Sequence, residues 1–253
     1  MNRFAFNYFG MQVGVEWVGA ADLDQPLKSL LLPIWTDEPD LSPQAVFRIS
    51  RDPQGELLID GPDDEFDRSG REDVIETLER RLHFYLACLC REAIFVHAGV
   101  VGWRNGAVVI PGRSFAGKST LTMALLEAGA SYLSDEYAVI DRNGLIHPFP
   151  RPISLRTEDG CERVRPASVC LQPLPLLAMV STEFSAEAEW SPDILSAGSS
   201  ALEMLANTVS AQAAPELALE CLSAALKNGV SWKGPRGEAK PTAEAILSQW
   251  TAH

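Results

Sequence analysis

No stretch of the 253-residue chain approaches the roughly 20 apolar residues that a transmembrane helix needs. The start, Met1-Asn2-Arg3-Phe4, lacks the apolar block of a signal peptide. Cysteine is scarce: Cys88, Cys90, Cys161, Cys170 and Cys221 are all there is, and no spacing among them resembles a zinc site. Cys88 and Cys90 lie two apart in a helical pattern and point in different directions, so free thiols in a cytoplasmic protein are expected. Basic residues are outnumbered, 21 against 34 acidic, for a net charge of −13. That balance argues against nucleic acid or an anionic membrane as a partner. There is no internal repeat and no low-complexity tract. What is there is ordinary for a globular chain, 46% hydrophobic and 22% charged, enough for one large domain or two small ones.

Against this plain background one run stands out: Gly112-Arg113-Ser114-Phe115-Ala116-Gly117-Lys118-Ser119, followed by Thr120. It fits G-x-x-x-x-G-K-[ST], the phosphate-binding P-loop. Gly112 and Gly117 are expected to take backbone angles that a side chain forbids, so that successive N–H groups face phosphate oxygens. Lys118 can reach the outer phosphates, and Ser119 can offer its hydroxyl to Mg²⁺. A helix starting near Lys118 adds its positive end. The alternative is a Gly-rich turn that matches by chance. The context opposes it, since Val108-Val109-Ile110 precedes the run and a helical pattern follows. An acidic chain that holds ATP needs such a local basic site against its own field.

Residues 1–70 read as a strand-rich N-terminal region, with Phe4–Trp17, Ala45–Ile49 and Glu56–Ile59 as strand segments and Asp60–Arg71 as an acidic loop and boundary. Residues 71–253 read as the second domain. Glu72–Arg91 carries Val74, Leu78, Leu82, Tyr85, Leu86 and Leu89 at helical spacing, with His83 as a bystander. Ile94–Val101 and Ala107–Ile110 flank the turn signal Arg104-Asn105-Gly106 and predict a hairpin feeding the P-loop. Parallel P-loop folds join these strands through helices instead. Ser119–Ala128 predicts a helix closed by Gly129. Tyr132–Ser134, Tyr137–Asp141 and Leu145–His147 predict strands, the last two joined at Arg142-Asn143-Gly144. Arg165–Leu177 should wrap the surface or edge a sheet, and Leu174–Thr182 should be a last core strand. Helices are expected at 201–211, at 215–227 with Pro215 starting it, and at 242–250 with Thr242 as N-cap. The fold class is α/β with a mixed, hairpin-rich sheet.

Phosphoryl transfer needs positioning, charge neutralisation and a group that takes the acceptor's proton. Asp135 and Glu136, at a strand end after the P-loop, can hold Mg²⁺ or act as that base. In an extended chain they point to opposite faces, so each can serve one task unless the chain bends. By themselves they equally describe a solvated turn. His97, in an otherwise apolar strand, is by residue type more often a satisfied core histidine than a catalytic one.

Three blocks together, His97-Ala98-Gly99-Val100, Gly112 to Ser119, and Leu133-Ser134-Asp135-Glu136, resemble the signature blocks of the catalytic domain of HPr kinase/phosphorylase. The resemblance is nearer to shorter HPr-kinase-related bacterial kinases, including those that tailor lasso peptides. Pro150-Arg151-Pro152-Ile153-Ser154-Leu155 belongs to the same likeness, which spans residues 94–156. It implies a P-loop kinase fold related to phosphoenolpyruvate carboxykinase, ATP and Mg²⁺ as cofactors, and transfer of the γ-phosphate to a serine-type hydroxyl. It implies that His97 is an active-site histidine, Lys118 the P-loop lysine and Ser119 a metal ligand. Asp135 and Glu136 match a pair of aspartates, one of them the general base, with Asp135 favoured as base or metal-orienting group.

The chain departs from the pattern at Glu136, which is longer than aspartate by a methylene, and at Phe115, where the family has glycine. No counterpart of the segment that grips HPr is present, which argues against HPr as acceptor and against phosphorylase activity. Arg113, Arg151 and Arg156 are further phosphate-contact candidates whose default is a surface arginine. The expected acceptor is therefore a peptide or small protein, such as a lasso precursor. A small-molecule hydroxyl kinase and a non-catalytic nucleotide-binding regulatory module stay open beside it. The oligomeric state is left open too.

Overall fold

The computed structural model describes residues 2–62, 66–69, 74–112, 116–157 and 160–250. It divides into two units, Met1–Arg91 and Glu92–His253. The first is one five-stranded sheet in the order β1-β2-β3-β4-β5 with a helix against it. Its strands are β1 (Asn2–Tyr8), β2 (Met11–Trp17), β3 (Ala45–Arg51), β4 (Leu57–Asp60) and β5 (Phe66–Ser69), with a short helix α1 (Asp24–Lys28) between β2 and β3. All pairings are antiparallel except β2 with β3. Alternation decides which face is covered: Ala45, Phe47 and Ile49 of β3 and Leu57 and Ile59 of β4 are buried. Helix α2 (Val74–Leu89) turns Val74, Leu78, Leu82 and Leu86 inward. Arg81 Nη1 donates to Ile59 O at 3.2 Å, and Tyr85 meets Phe47 edge to face at 5.7 Å. His83 is buried beside the Trp35 ring.

These contacts differ from the sequence reading in two ways. The boundary lies at Arg91/Glu92 rather than at 70/71, because the apolar stripe of α2 belongs with the first sheet. Within the expected acidic loop, Phe66–Ser69 pairs with β4 from Asp60↔Phe66 to Leu57↔Ser69. An edge strand is held by its backbone and tolerates polar side chains, so composition gave no sign of it.

The second unit is a mixed α/β layer structure. Strands β6 (Ala93–Trp103) and β7 (Gly106–Pro111) form the expected hairpin, from Trp103↔Gly106 to Ala98↔Pro111. Helix α3 (Lys118–Glu127) follows β7. Then come β8 (Ser131–Ser134), β9 (Tyr137–Asp141) and β10 (Leu145–His147), a separate hairpin β11 (Ile153–Thr157) and β12 (Gly160–Val164), and β13 (Leu174–Phe184). The chain ends with β14 (Asp193–Ile194), α4 (Ala197–Leu205), α5 (Pro215–Ala225), β15 (Val230–Arg236) and α6 (Ala239–Ser248). The main sheet runs β10-β9-β6-β7-β13-β15-β14, with β8 also on β6.

Side-chain alternation along β7 splits the core into two layers. Ala107 and Val109 face Met204, Leu217, Cys221 and Leu222 of α4 and α5, while Val108 and Ile110 face Leu121, Leu125, Ala243 and Ile246 of α3 and α6.

Three C-terminal expectations are corrected, and one strand is added to them. β13 is no last strand: it is central, parallel to β7 on one side and to β15 on the other. β15 was not foreseen because Lys233-Gly234-Pro235-Arg236 reads as a turn. Pairing with β13 from Ala178↔Val230 to Phe184↔Arg236 overrides that local preference. α4 begins earlier than expected, capped by Ser196, whose Oγ accepts the Ser199 N–H at 3.2 Å. Thr242 is not an N-cap but lies inside α6, its hydroxyl donating to Glu238 O at 2.8 Å. Pro241 is tolerated ahead of it because the first turn has no N–H partners to lose.

Four of the cysteines, Cys88, Cys90, Cys170 and Cys221, are free thiols; the Cys161 side chain lies outside the described residues. No described helix is long and apolar enough to cross a membrane.

Candidate active site

β7 delivers the chain to Gly112, and α3 takes it up at Gly117. Arg113, Ser114 and Phe115, the outer part of the loop, lie outside the described residues. Its two ends come together: a Cβ at Gly112 would sit 3.4 Å from Ala116 Cβ and 3.6 Å from Lys118 Cδ. Gly112 keeps an ordinary backbone angle, contrary to expectation, whereas Gly117 has φ +79° and is the N-cap of α3. The helix then opens with Lys118, Ser119 and Thr120, its unpaired N–H groups and positive end at the loop.

A cavity of about 460 Å³ lies at this helix end. Gly117, Lys118, Ser119 and Thr120 form one wall, and His97, Asp135 and Glu136 line it from the sheet. Arg151, Pro152, Ser154 and Leu155 line it from the segment that leads into β11. Residues read separately along the sequence are thus brought to one place. Arg151, whose default was a surface arginine, is among them; the Arg156 side chain lies outside the described residues.

His97 sits on β6 next to the pair Ala98↔Pro111. Its Nδ1 lies 2.9 Å from Gly112 O, and a carbonyl only accepts, so Nδ1 carries the proton and Nε2 is the acceptor. Gly112 N–H in turn donates to His97 O at 3.2 Å. Burial, and next the charge of Lys118, hold the imidazole below its usual pKa, so the ring is neutral at pH 7.

Asp135 and Glu136 share the cavity because the chain bends between β8 and β9. Ser134, fully buried, accepts both the Glu136 and Tyr137 N–H groups on its Oγ, at 3.2 and 3.1 Å. This Ser-centred turn keeps the two carboxylates from opposite faces. Ser134 is not singled out by residue type alone, although a serine three residues before a strand start is the signal for such a turn.

Asp135 Oδ2 accepts the Ser119 hydroxyl at 2.7 Å. Its Oδ1 is buried, and the Thr122 hydroxyl of α3 is a second side-chain donor that acts on this carboxylate. Gly99 leaves room for both: a Cβ there would lie 2.3 Å from Thr122 Oγ1 and 3.6 Å from Asp135 Oδ1. Burial raises the Asp135 pKa above the ordinary aspartate value, against the hydrogen bonds of Ser119 and Thr122 and the charges of Lys118 and Arg151. Lys118 is buried, and desolvation lowers its pKa while Asp135 opposes the shift. Glu136 is ion-paired with Arg151, whose carbonyl accepts the buried Tyr132 hydroxyl at 2.6 Å. Among the described residues no group of three His, Cys, Asp or Glu forms an all-protein metal cage.

The donor set suits a hard cation shared with a ligand. Ser119 Oγ and Asp135 Oδ2, hydrogen-bonded to each other at 2.7 Å, are hard oxygen donors at the end of the α3 helix. Mg²⁺ is typically held by one or two carboxylates, waters and substrate phosphates.

No protein-family description and no curated protein matches the chain. Among solved structures, the HPr(Ser) kinase/phosphatase from Coxiella burnetii is similar at a TM-score of 0.33 and 16% identity, over 63% of this chain and 95% of that chain. At that level of likeness, the chemistry of the site rests on its own residues.

Proposed function

We propose that this protein is an ATP- and Mg²⁺-dependent kinase that transfers the γ-phosphate to a serine-type hydroxyl of a peptide or small protein, with a lasso precursor as the first acceptor to test. One observation carries the reading: Lys118 and the α3 N-terminus share a cavity with Asp135, a carboxylate whose raised pKa suits a general base. Lys118 and the first N–H groups of α3 bind and orient the phosphates. Ser119 would hold Mg²⁺ together with the phosphates, and the ion would supply neutralisation of phosphate charge when bound. The Asp135 carboxylate takes the proton as the acceptor's O–H bond breaks. The acceptor oxygen bonds to the γ-phosphorus, and the bond from that phosphorus to the ADP oxygen breaks. Neutral His97 and the Arg151–Glu136 pair line the same cavity and orient the groups that meet there. The serine acceptor rests on the resemblance of the three motif blocks.

The test incubates the full chain with Mg²⁺, γ-labelled ATP and candidate precursor peptides, followed by mass spectrometry of the peptides. The expected result is one phosphate added to a serine. Lys118→Ala should lose nucleotide binding, and Asp135→Asn should keep binding yet transfer nothing. A protein that binds ATP but labels neither peptide nor metabolite pools would be a binding module instead.

A further inference from the structure

The last strand of the sheet brings a second cation to the phosphate cradle from behind. Arg236 ends β15 and is only 3% exposed. Its Nη2 donates to Gly117 O at 3.0 Å and its Nη1 to Gly237 O at 2.8 Å. The guanidinium lies over the Phe184 ring, 5.4 Å from its centroid, and Nε is buried with no partner. Among the described residues no carboxylate comes within ion-pair distance of it, and the charge of Glu238, two residues on, only partly offsets its burial. Burying a cation against carbonyls and a ring costs stability unless something repays it. An anion in front of Gly117 would do so.

Gly117 is where that cost acts on the site. Its carbonyl accepts twice, from Arg236 and from the Leu121 N–H at 3.1 Å. The peptide is planar and trans, so holding the carbonyl of Gly117 back toward β15 sets the N–H of Lys118 in the opposite direction, outward from the helix end. Glycine is required at this position on two grounds. Its φ is +79°, and any Cβ would lie 2.4 Å from Arg236 Nη2. The glycine at the end of the P-loop motif and an arginine 119 positions later are therefore one device.

We propose that Arg236 is a positioning residue of the phosphate cradle, which fixes the Gly117–Lys118 peptide and so sets the affinity of the site for nucleoside di- and triphosphates. This rests on the nucleotide-binding part of the reading above and on no assumption about the acceptor. The guanidinium acts from outside the cavity, through one carbonyl, and touches neither phosphate nor acceptor.

The test uses the full chain with Mg²⁺ and fluorescent ADP and ATP analogues, and inorganic pyrophosphate as a competitor. Wild type, Arg236→Met and Arg236→Lys are compared. Arg236→Met should weaken ADP, ATP and pyrophosphate in similar proportion, about tenfold, because the loss is in phosphate contacts. Arg236→Lys keeps the charge but not the planar fork that spans two carbonyls, and should weaken all three about threefold. A folded Arg236→Met protein with wild-type affinity for pyrophosphate overturns the proposal, even if its melting temperature falls. Should Arg236→Met fail to fold, Arg236→Lys decides, and wild-type affinities in that variant overturn the proposal. Wild-type protein that binds none of the three ligands refutes the nucleotide reading itself, and this proposal with it.

Discussion

At the scale of the residue, the site is a set of unfavourable burials that a ligand would complete. Asp135 is the clearest. Its folded pKa lies above the unfolded value because burial disfavours the charged form. The ionised side chain therefore costs stability at pH values above the raised pKa. That cost is relieved as pH falls through the window between the raised and ordinary values. Asp135→Asn should accordingly raise the melting temperature of the nucleotide-free protein at pH 7 by roughly 2–4 °C. Scanning calorimetry on both proteins checks this, and a lower melting temperature in the variant would show that the carboxylate is structural. Under the kinase reading the same pKa predicts that kcat/KM rises with pH through a limb lying above ordinary aspartate titration, since the base must be ionised.

The sequence exposed this residue unevenly. Asp135 was legible beside a P-loop because carboxylates and phosphate cradles go together. Its burial was not, because burial is a property of everything packed around it.

At the scale of the element, the bend between β8 and β9 matters most. Two main-chain N–H groups converge on Ser134 Oγ, and without them Asp135 and Glu136 would revert toward the alternation of an extended strand. Removing the acceptor should leave both amides unsatisfied in a buried turn. Ser134→Ala is expected to cost about 1–3 kcal/mol of stability, read from denaturant midpoints, and to lower phosphate transfer more than nucleotide binding. Equal losses in both would mean that the bend serves the fold and not the carboxylates.

The hairpin β6–β7 was readable from two apolar runs around a turn signal, and the α3 helix from its apolar spacing. β15 was not, because strand formation by Gly234 and Pro235 depends on β13 beside them, and local propensity points the other way.

At the scale of the whole molecule, every residue lining the cavity belongs to the unit Glu92–His253. Residues 92–253 expressed alone should therefore bind nucleotide with an affinity close to that of the full chain. A fragment starting at residue 71 would carry α2 without the sheet that covers Leu78, Leu82 and Leu86, and should be the less soluble of the two. Light scattering and nucleotide titration on both fragments check this. A soluble 71–253 fragment beside an aggregated 92–253 fragment would put the boundary nearer residue 70.

By itself the sequence determined the glycine-spaced run Gly112 to Ser119 as the candidate site, the strands and helix on either side of it, the mixed α/β class, and which side chains could do chemistry. These follow from short-range rules: glycine spacing, apolar period, and residue type. The tertiary structure alone decided that His97, Lys118, Asp135, Glu136 and Arg151 face one cavity. It alone made α2 part of the first unit and put Arg236 behind Gly117. The physical reason is distance along the chain. Parallel pairing with β13 joins segments about fifty to seventy residues apart and hydrophobic burial joins segments more than a hundred apart, and no local pattern records which segments they will be.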